Sequence, residues 1–380
     1  MSQRDVHFPE LNYDCVQCGK GCSYDWTISL EKPCRQNLEG SQAYRELRAR
    51  GYFPLVVEGP DAALGRDAAG SCFFLKADHL CALHAELGFE RKPLTCQQFP
   101  FMPVETPDGV YVGLSFFCTA VQRNHGRPVR EHRLQIEAML GDPPAGEPDG
   151  VGMAPGVALA WSEYMAFEHS FRTRLASSSD LESGLWSLAG SLVGYAKTLE
   201  GRSFRLSEWE DHPAPPCEEA DEQGLWAFVA SLVSIAEERD PQKNQLIMEA
   251  LLENRDVWSP RLKCRIPTAR VRERARVPFE ATLEDHARRY VDHLIFRKIL
   301  PQPPSVVAGV LFLNVLWRAL KFYAALASLE AGREQVAEDD FFLALETVEA
   351  RLATHARYTG PCREHLQTAV WRRTPACSTR

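Results

Sequence analysis

Eight of the chain's 12 cysteines fall between Cys15 and Cys118, in under a third of its 380 residues. That crowding limits the fold more than any other feature. The run opens with Cys15-Val-Gln-Cys18-Gly-Lys-Gly-Cys22, passes Cys34, and continues as Cys72-Phe-Phe-Leu-Lys-Ala-Asp-His-Leu-Cys81, then Cys96 and Cys118. Thiols grouped in this way suit a disulfide framework or a metal site, and the redox compartment chooses between them. The first ten residues contain no apolar h-region, so the expectation is a chain without a secretory leader. The longest apolar run, Val306 to Trp317, contains Asn314 and is followed by Arg318 and Lys321, short of the ~20 apolar residues of a spanning helix. The expectation is therefore a cytoplasmic protein with no membrane partner, whose thiols stay reduced, and this favours metal over disulfides.

Local signals divide the chain into three. Residues 1–128 read as short elements and loops. Cys72 to His84 reads as a tight hairpin turning near Ala77-Asp78-His79 and returning over Leu80 to Leu83. Phe101 to Phe116 reads as a second, with Pro107-Asp108-Gly109 as its turn. Hairpins this short are marginal alone, and a thiolate-held metal would supply the missing stability. Residues 129–150 read as a short helix, Val129 to Leu140, and a Pro/Gly-rich linker, Gly141 to Gly150. Gly150-Val-Gly152 superficially suggests a nucleotide loop, but Pro and Gly precede it where a strand is required.

Residues 151–380 read as helical. Leu185, Leu188, Leu192 and Tyr195 share a face behind a candidate N-cap, Asp180. Leu225, Phe228, Val229, Leu232 and Ile235 share another that ends before Asp240-Pro241, and Phe342, Leu345, Val348 and Leu352 a third. Six or seven helices are expected. The fold class is thus α+β: a small metal-stapled N-terminal domain with short β-hairpins, then a mainly α-helical C-terminal domain. A net charge of −8 argues against a nucleic-acid partner. One basic run, Arg261, Lys263, Arg265, Arg270, Arg272, Arg274 and Arg276, reads either as a solvated face or as a dock for an acidic partner or an anionic cofactor tail.

Cys15, Cys18 and Cys22 share one loop, where Gly19 and Gly21 allow the positive φ angles of tight turns. Three thiols do not complete a four-thiolate site, so a further ligand must come from Cys34, Cys72, Cys81, Cys96 or Cys118. Zinc and iron–sulfur both accept four thiolates. Cys34 follows Pro33 and reads as a buried thiol outside the site. His79, His84 and His125 read as surface or supporting groups, and Cys217, Cys264, Cys362 and Cys377 as ordinary thiols, although Cys362-Arg-Glu-His365 has ligand-like spacing. The metal-site residues are therefore Cys15, Cys18, Cys22, Cys72, Cys81, Cys96 and Cys118. Radical S-adenosylmethionine enzymes carry C-x3-C-x2-C ahead of repeating βα units; this chain has C-x2-C-x3-C ahead of hairpins.

At these residues the sequence resembles the YkgJ-like cysteine-cluster family, with its C-x2-C-G-x-C-C motif. Cys15, Cys18, Gly19 and Cys22 match, and Gly21 stands where one further cysteine belongs. Cys72-Phe-Phe-Leu, Leu80-Cys81 and Lys92-Pro-Leu-Thr-Cys96-Gln-Gln-Phe-Pro fit later segments, Lys92 replacing an Arg. Within that family the chain is most similar to flagellin lysine-N-methylases (FliB-like), through Trp26-Thr-Ile-Ser-Leu-Glu-Lys32, Leu114-Ser-Phe-Phe-Cys118 and, more faintly, Arg289 to Pro301. The resemblance implies an iron–sulfur or zinc centre, S-adenosylmethionine as methyl donor, and lysines of a protein such as flagellin as substrate. Tyr13, Asp14, Tyr24, Asp25 and Trp26 would then line a channel or simply pack the cluster loops. The alternatives to catalysis are a structural metal module whose helical domain docks a partner, and metal storage or delivery.

Overall fold

The computed structural model describes residues 5–24, 26–58, 61–141, 150–214, 219–353 and 359–372. It has an α+β architecture and divides into two compact units, one of Met1–Glu105 with Gly109–Pro144, the other of Thr106–Asp108 with Ala145–Arg380.

The first unit runs β1 (Val6–His7), β2 (Asn12–Tyr13), a 3-10 turn (Lys20–Cys22), α1 (Lys32–Glu39), α2 (Gln42–Ala49), β3 (Leu55–Glu58), β4 (Asp61–Leu64), α3 (Ala82–Leu87), α4 (Leu94–Gln98), β5 (Phe101–Thr106), β6 (Gly109–Leu114), α5 (Thr119–Gln122), β7 (Arg127–Pro128), a second 3-10 turn (Val129–His132) and α6 (Arg133–Glu137). The hairpin expected over Phe101 to Phe116 is β5–β6. Its sheet gains a strand that no local signal announces: β1 pairs with β6 in parallel, Val6 opposite Val110 and His7 opposite Tyr111. The Cys72–His84 segment differs from a full hairpin. It reverses tightly, with Leu75 bridging Cys81 and the Ala82 N–H donating to the Phe74 carbonyl, but the returning limb becomes α3. Ala82-Leu-His-Ala-Glu-Leu consists of competent helix formers and sets Leu83 and Leu87 on one face, so helix prevails over strand. Leu38, Leu64, Phe74 and Leu83 form a small core here, and Cys72, Cys81 and Cys96 pack against it. The expected helix over Val129 to Leu140 is a 3-10 turn running into one short α-helix.

The second unit runs β8 (Val151–Ala154), β9 (Val157–Leu159), α7 (Trp161–Ala176), α8 (Leu181–Thr198), α9 (Leu206–Glu210), α10 (Glu219–Glu237), α11 (Pro241–Leu252), β10 (Val257–Ser259), β11 (Cys264–Ile266), α12 (Thr268–Ala275), α13 (Ala281–Phe296), α14 (Val306–Glu330), α15 (Glu338–Val348), a π-turn (Glu349–Ala353) and α16 (Thr359–Arg372). Ten helices among the described residues exceed the six or seven read from periodicity; α9 and α12 are among those too short to show a long repeating face. Asp180 caps α8 as expected, its carboxylate accepting from the Ser183 N–H at 2.8 Å, and Asp240 caps α11. Gly150-Val-Gly152 enters the β8–β9 hairpin, not a phosphate loop.

The apolar run at Val306 is longer than its first half suggests. It continues through Arg318 and Lys321 into a 25-residue helix, α14, long and apolar enough by composition to cross a membrane. Its most apolar window is 89% buried within the unit, so α14 is the core helix. It packs on α8, α10, α12, α15, α16 and β8. Arg318 and Lys321 are accommodated by ion pairs to Glu182, with Lys321 Nζ 2.6 Å from its carboxylate.

Candidate metal centre

The loop from Cys15 to Cys22 turns through two left-handed residues, Gln17 (φ 54) and Gly19 (φ 67). Gly19 is required on two grounds. A side chain disfavours that φ, and a Cβ there would lie 3.1 Å from His79 Nδ1 and 3.3 Å from Leu75 Cδ1. Gly21 has a different role from the one its spacing suggests. It sits in the 3-10 turn at ordinary φ, and a Cβ would meet the Phe99 ring at 3.3 Å.

Arg66 ties this loop down. Its guanidinium donates to the Trp26 carbonyl (2.6 Å), the Gly70 carbonyl (2.8 Å) and the Cys22 carbonyl (3.2 Å). The Cys72 N–H donates to the same Cys22 carbonyl at 2.8 Å, which joins the first cysteine loop to the second. Cys81 stands at the N-cap of α3, Cys96 lies in α4, and Cys118 stands at the N-cap of α5.

The seven cysteines fall into two adjoining groups, linked by Cys18, whose charge also acts on Cys22. Cys22, Cys72, Cys81 and Cys96 are close enough that a negative charge on one disfavours charge on another in all six pairings. Burial is the larger influence: it pushes the Cys72 thiol up to about 11 and Cys96 up to about 12, with the neighbouring thiols adding to the rise. Arg66 and Lys92 oppose this, Arg66 acting on Cys22 and Cys72 and Lys92 on Cys22 and Cys96. Cys15, Cys18 and Cys118 form the second group. Burial pushes Cys118 up to about 11, and Cys18 and Cys15 reinforce it. Tyr13 belongs here, hydrogen-bonded to Cys15, its hydroxyl held protonated by burial and then by the charges of Cys118 and Cys15. Cys15 and Cys18 are exposed, whereas Cys118 is buried.

The donors fit a thiophilic metal in kind and neighbourhood. They do not form a closed cage: among the described residues, no three Cys, His, Asp or Glu side chains converge as metal ligands do. None of the described cysteines is in a disulfide.

The remaining residues sort as follows. Cys34 is buried in α1, its thiol 3.7 Å from the Arg91 carbonyl and outside both groups. His79 supports Gly19, and His84 stacks edge-on against Phe89. Cys264 is coupled to Glu330, and Cys362 lies in α16; Cys217, Cys377 and Asp25 lie outside the described residues. Tyr24 and Trp26 pack the loops: with Phe117 they form a three-ring cluster at centroid separations of 4.6–4.9 Å, and Trp26 Nε1 donates to the Gly21 carbonyl at 2.7 Å. Asp14 accepts from the Arg127 N–H at 2.9 Å, which holds its carboxyl below the usual range. Sequence reasoning missed Arg66, because a lone Arg 44 residues from Cys22 carries no spacing signal.

Among known proteins, an uncharacterized protein of Methanocaldococcus jannaschii, MJ0939, is 26% identical over 121 residues, which is 31% of this chain and 40% of that protein. The chain thus matches well under two thirds of that relative's length. No protein-family description and no solved structure matches the chain.

Proposed function

We propose that the N-terminal unit is a thiolate metal-binding module with two unequal sites. Cys22, Cys72, Cys81 and Cys96 form a four-thiolate site of structural type. Cys15, Cys18 and Cys118 form a three-thiolate site that keeps one position open, as reactive metal sites do. The grouping of four half-buried thiols, with the Cys72 N–H bonded to the Cys22 carbonyl and each thiol within electrostatic reach of the others, carries this reading. The metal is an iron–sulfur cluster or zinc, held in a reducing cytoplasm. When bound, it would staple segments already joined by the small core around Phe74 and by the Arg66 hydrogen bonds. Arg66 and Lys92 would offset part of the thiolate charge.

The resemblance to FliB-like proteins adds the catalytic part of the proposal: methyl transfer from S-adenosylmethionine to lysines of a protein such as flagellin. The packing of Tyr24 and Trp26 into the loops favours a second reading, in which the metal is structural and the helical unit docks a partner. Anaerobic purification with iron, sulfide and zinc analysis tests the metal. Cys72→Ser and Cys96→Ser should each lose the same metal equivalent, and Cys15→Ser and Cys118→Ser the other. Metal-free protein that is fully folded, or identical losses from all four variants, would refute the two-site division. Calorimetry with S-adenosylmethionine on metal-loaded protein decides between the catalytic and docking readings.

A further inference from the structure

A cavity of about 50 Å³ opens within the second unit between α10, α12 and α14. Its lining is cationic: Arg272 from α12 and Arg276 at its C-cap, Arg318 and Lys321 from α14, with Trp226 as an apolar wall. Two acids answer these four cations. Glu222 accepts from Arg318 at 3.0 Å, and Glu182 accepts from Lys321 at 2.6 Å and pairs with Arg318 at 2.9 Å. Four positive charges against two negative leave a surplus of two.

The cations are held in place by different means. The Arg272 guanidinium sits over the Trp226 ring, 4.2 Å from its centroid, and donates to the Asn254 side chain. Lys321 is almost fully buried. Arg276 is exposed and has no side-chain partner among the described residues, and its charge disfavours that of Arg272. Three fixed cations and one unengaged guanidinium therefore face a space large enough for one small group. Of the rest of the basic run, Arg261 pairs with buried Glu237, Arg265 with Asp256, Arg274 donates to Ser328 and the Arg333 carbonyl, and Lys263 and Arg270 are exposed outside the cavity lining.

We infer that this cavity is an anion site for a phosphoryl group, clamped by Arg272, Arg276 and Arg318, with Trp226 bounding one side. A dianion matches the surplus of two, and paired guanidinium forks match tetrahedral oxygens. The group is either free phosphate or the phosphate of a larger molecule whose remainder lies outside the mouth. The site goes beyond the metal proposal and does not depend on it, since every residue belongs to the helical unit.

The test is titration of the purified full chain with inorganic phosphate and, separately, with adenosine 5′-monophosphate, at constant ionic strength set by chloride, read by calorimetry and by melting temperature. Saturable binding is expected, weakened about tenfold or more by Arg276→Glu, a charge reversal beside the ligand. Arg270→Glu, an exposed charge on the same helix outside the cavity, should leave affinity within about twofold. Preference for phosphate identifies the free ion, and preference for the monoester identifies the larger ligand; both support the site. No saturable binding of either probe at millimolar concentration, or equal weakening by the two variants, overturns it. Circular dichroism of Arg276→Glu, an exposed side chain, confirms that the variant is folded.

Discussion

Removing the Glu237 carboxylate should destabilise the helical unit more than any surface substitution. Glu237 ends α10 with its side chain fully buried. Four donors converge on it: Arg261 Nη2 at 2.6 Å and Nε at 3.2 Å, the Tyr323 hydroxyl at 2.6 Å, and the Ser259 hydroxyl. These come from β10, the β10–β11 turn and α14, so the carboxylate joins three segments. Glu237→Ala leaves a largely buried guanidinium without its counter-charge and a buried tyrosine hydroxyl without its acceptor. Breaking a buried pair by removing one partner costs about 3–5 kcal/mol. A unit of this size shifts by about 2–4 °C per kcal/mol, so the melting temperature should fall by about 6–20 °C. Calorimetric or circular-dichroism melts of Glu237→Ala, Arg261→Ala and the double variant give the coupling. The double variant should cost less than the sum of the singles by more than about 1 kcal/mol, because Arg261 is no longer stranded. Additivity within about 0.5 kcal/mol, or a cost below about 1 kcal/mol for Glu237→Ala, would refute the reasoning.

Two further substitutions probe local geometry. Gly19→Ala should lower both stability and metal content, losing about 1–2 kcal/mol to left-handed strain and more to contact with His79; Gly51→Ala, at φ 85 with open space around it, should show the strain alone, and equal costs would mean that the His79 contact is immaterial. Asp180→Ala should cost about 1 kcal/mol at neutral pH through loss of the α8 cap. The Asp180 carboxyl is held below its ordinary value mainly by the Ser183 N–H. Its contribution is therefore complete above the unfolded value of about 3.9 and is lost as pH falls through the folded value. Urea melts of wild type and variant should converge below about pH 4 and stay apart above it.

The helices most legible in the sequence were those with a long repeating face and a polar cap. Asp180 with Leu185, Leu188 and Leu192 reads directly as α8, because cap and period are both local. The β5–β6 hairpin is equally local, its turn fixed by Pro107-Asp108-Gly109. The parallel pairing of β1 to β6 joins residues about a hundred positions apart and leaves no mark on either segment. The same limit applies to the cysteines. Spacing places Cys15, Cys18 and Cys22 on one loop, but does not show that Cys22 also neighbours Cys72, Cys81 and Cys96, or that Cys15 and Cys18 neighbour Cys118. The basic run shows its charge in the sequence but not its buried counter-charge, because Glu237, which pairs with Arg261, ends a different helix.

The position of α14 in the chain has a consequence for synthesis. The first unit is complete by Pro144, whereas the helix around which the second unit packs runs from Val306 to Glu330. From Leu181 at the start of α8 to Glu330, roughly 150 residues must be made, which takes about 8–30 s at ribosomal rates. During that interval the apolar faces of α8, α10 and α12 have no α14 to cover them, while the cysteine unit has already left the ribosome whole. A chain cut short before Val306 would therefore carry the first unit entire and leave bare the helix faces that α14 covers, which makes it prone to aggregate.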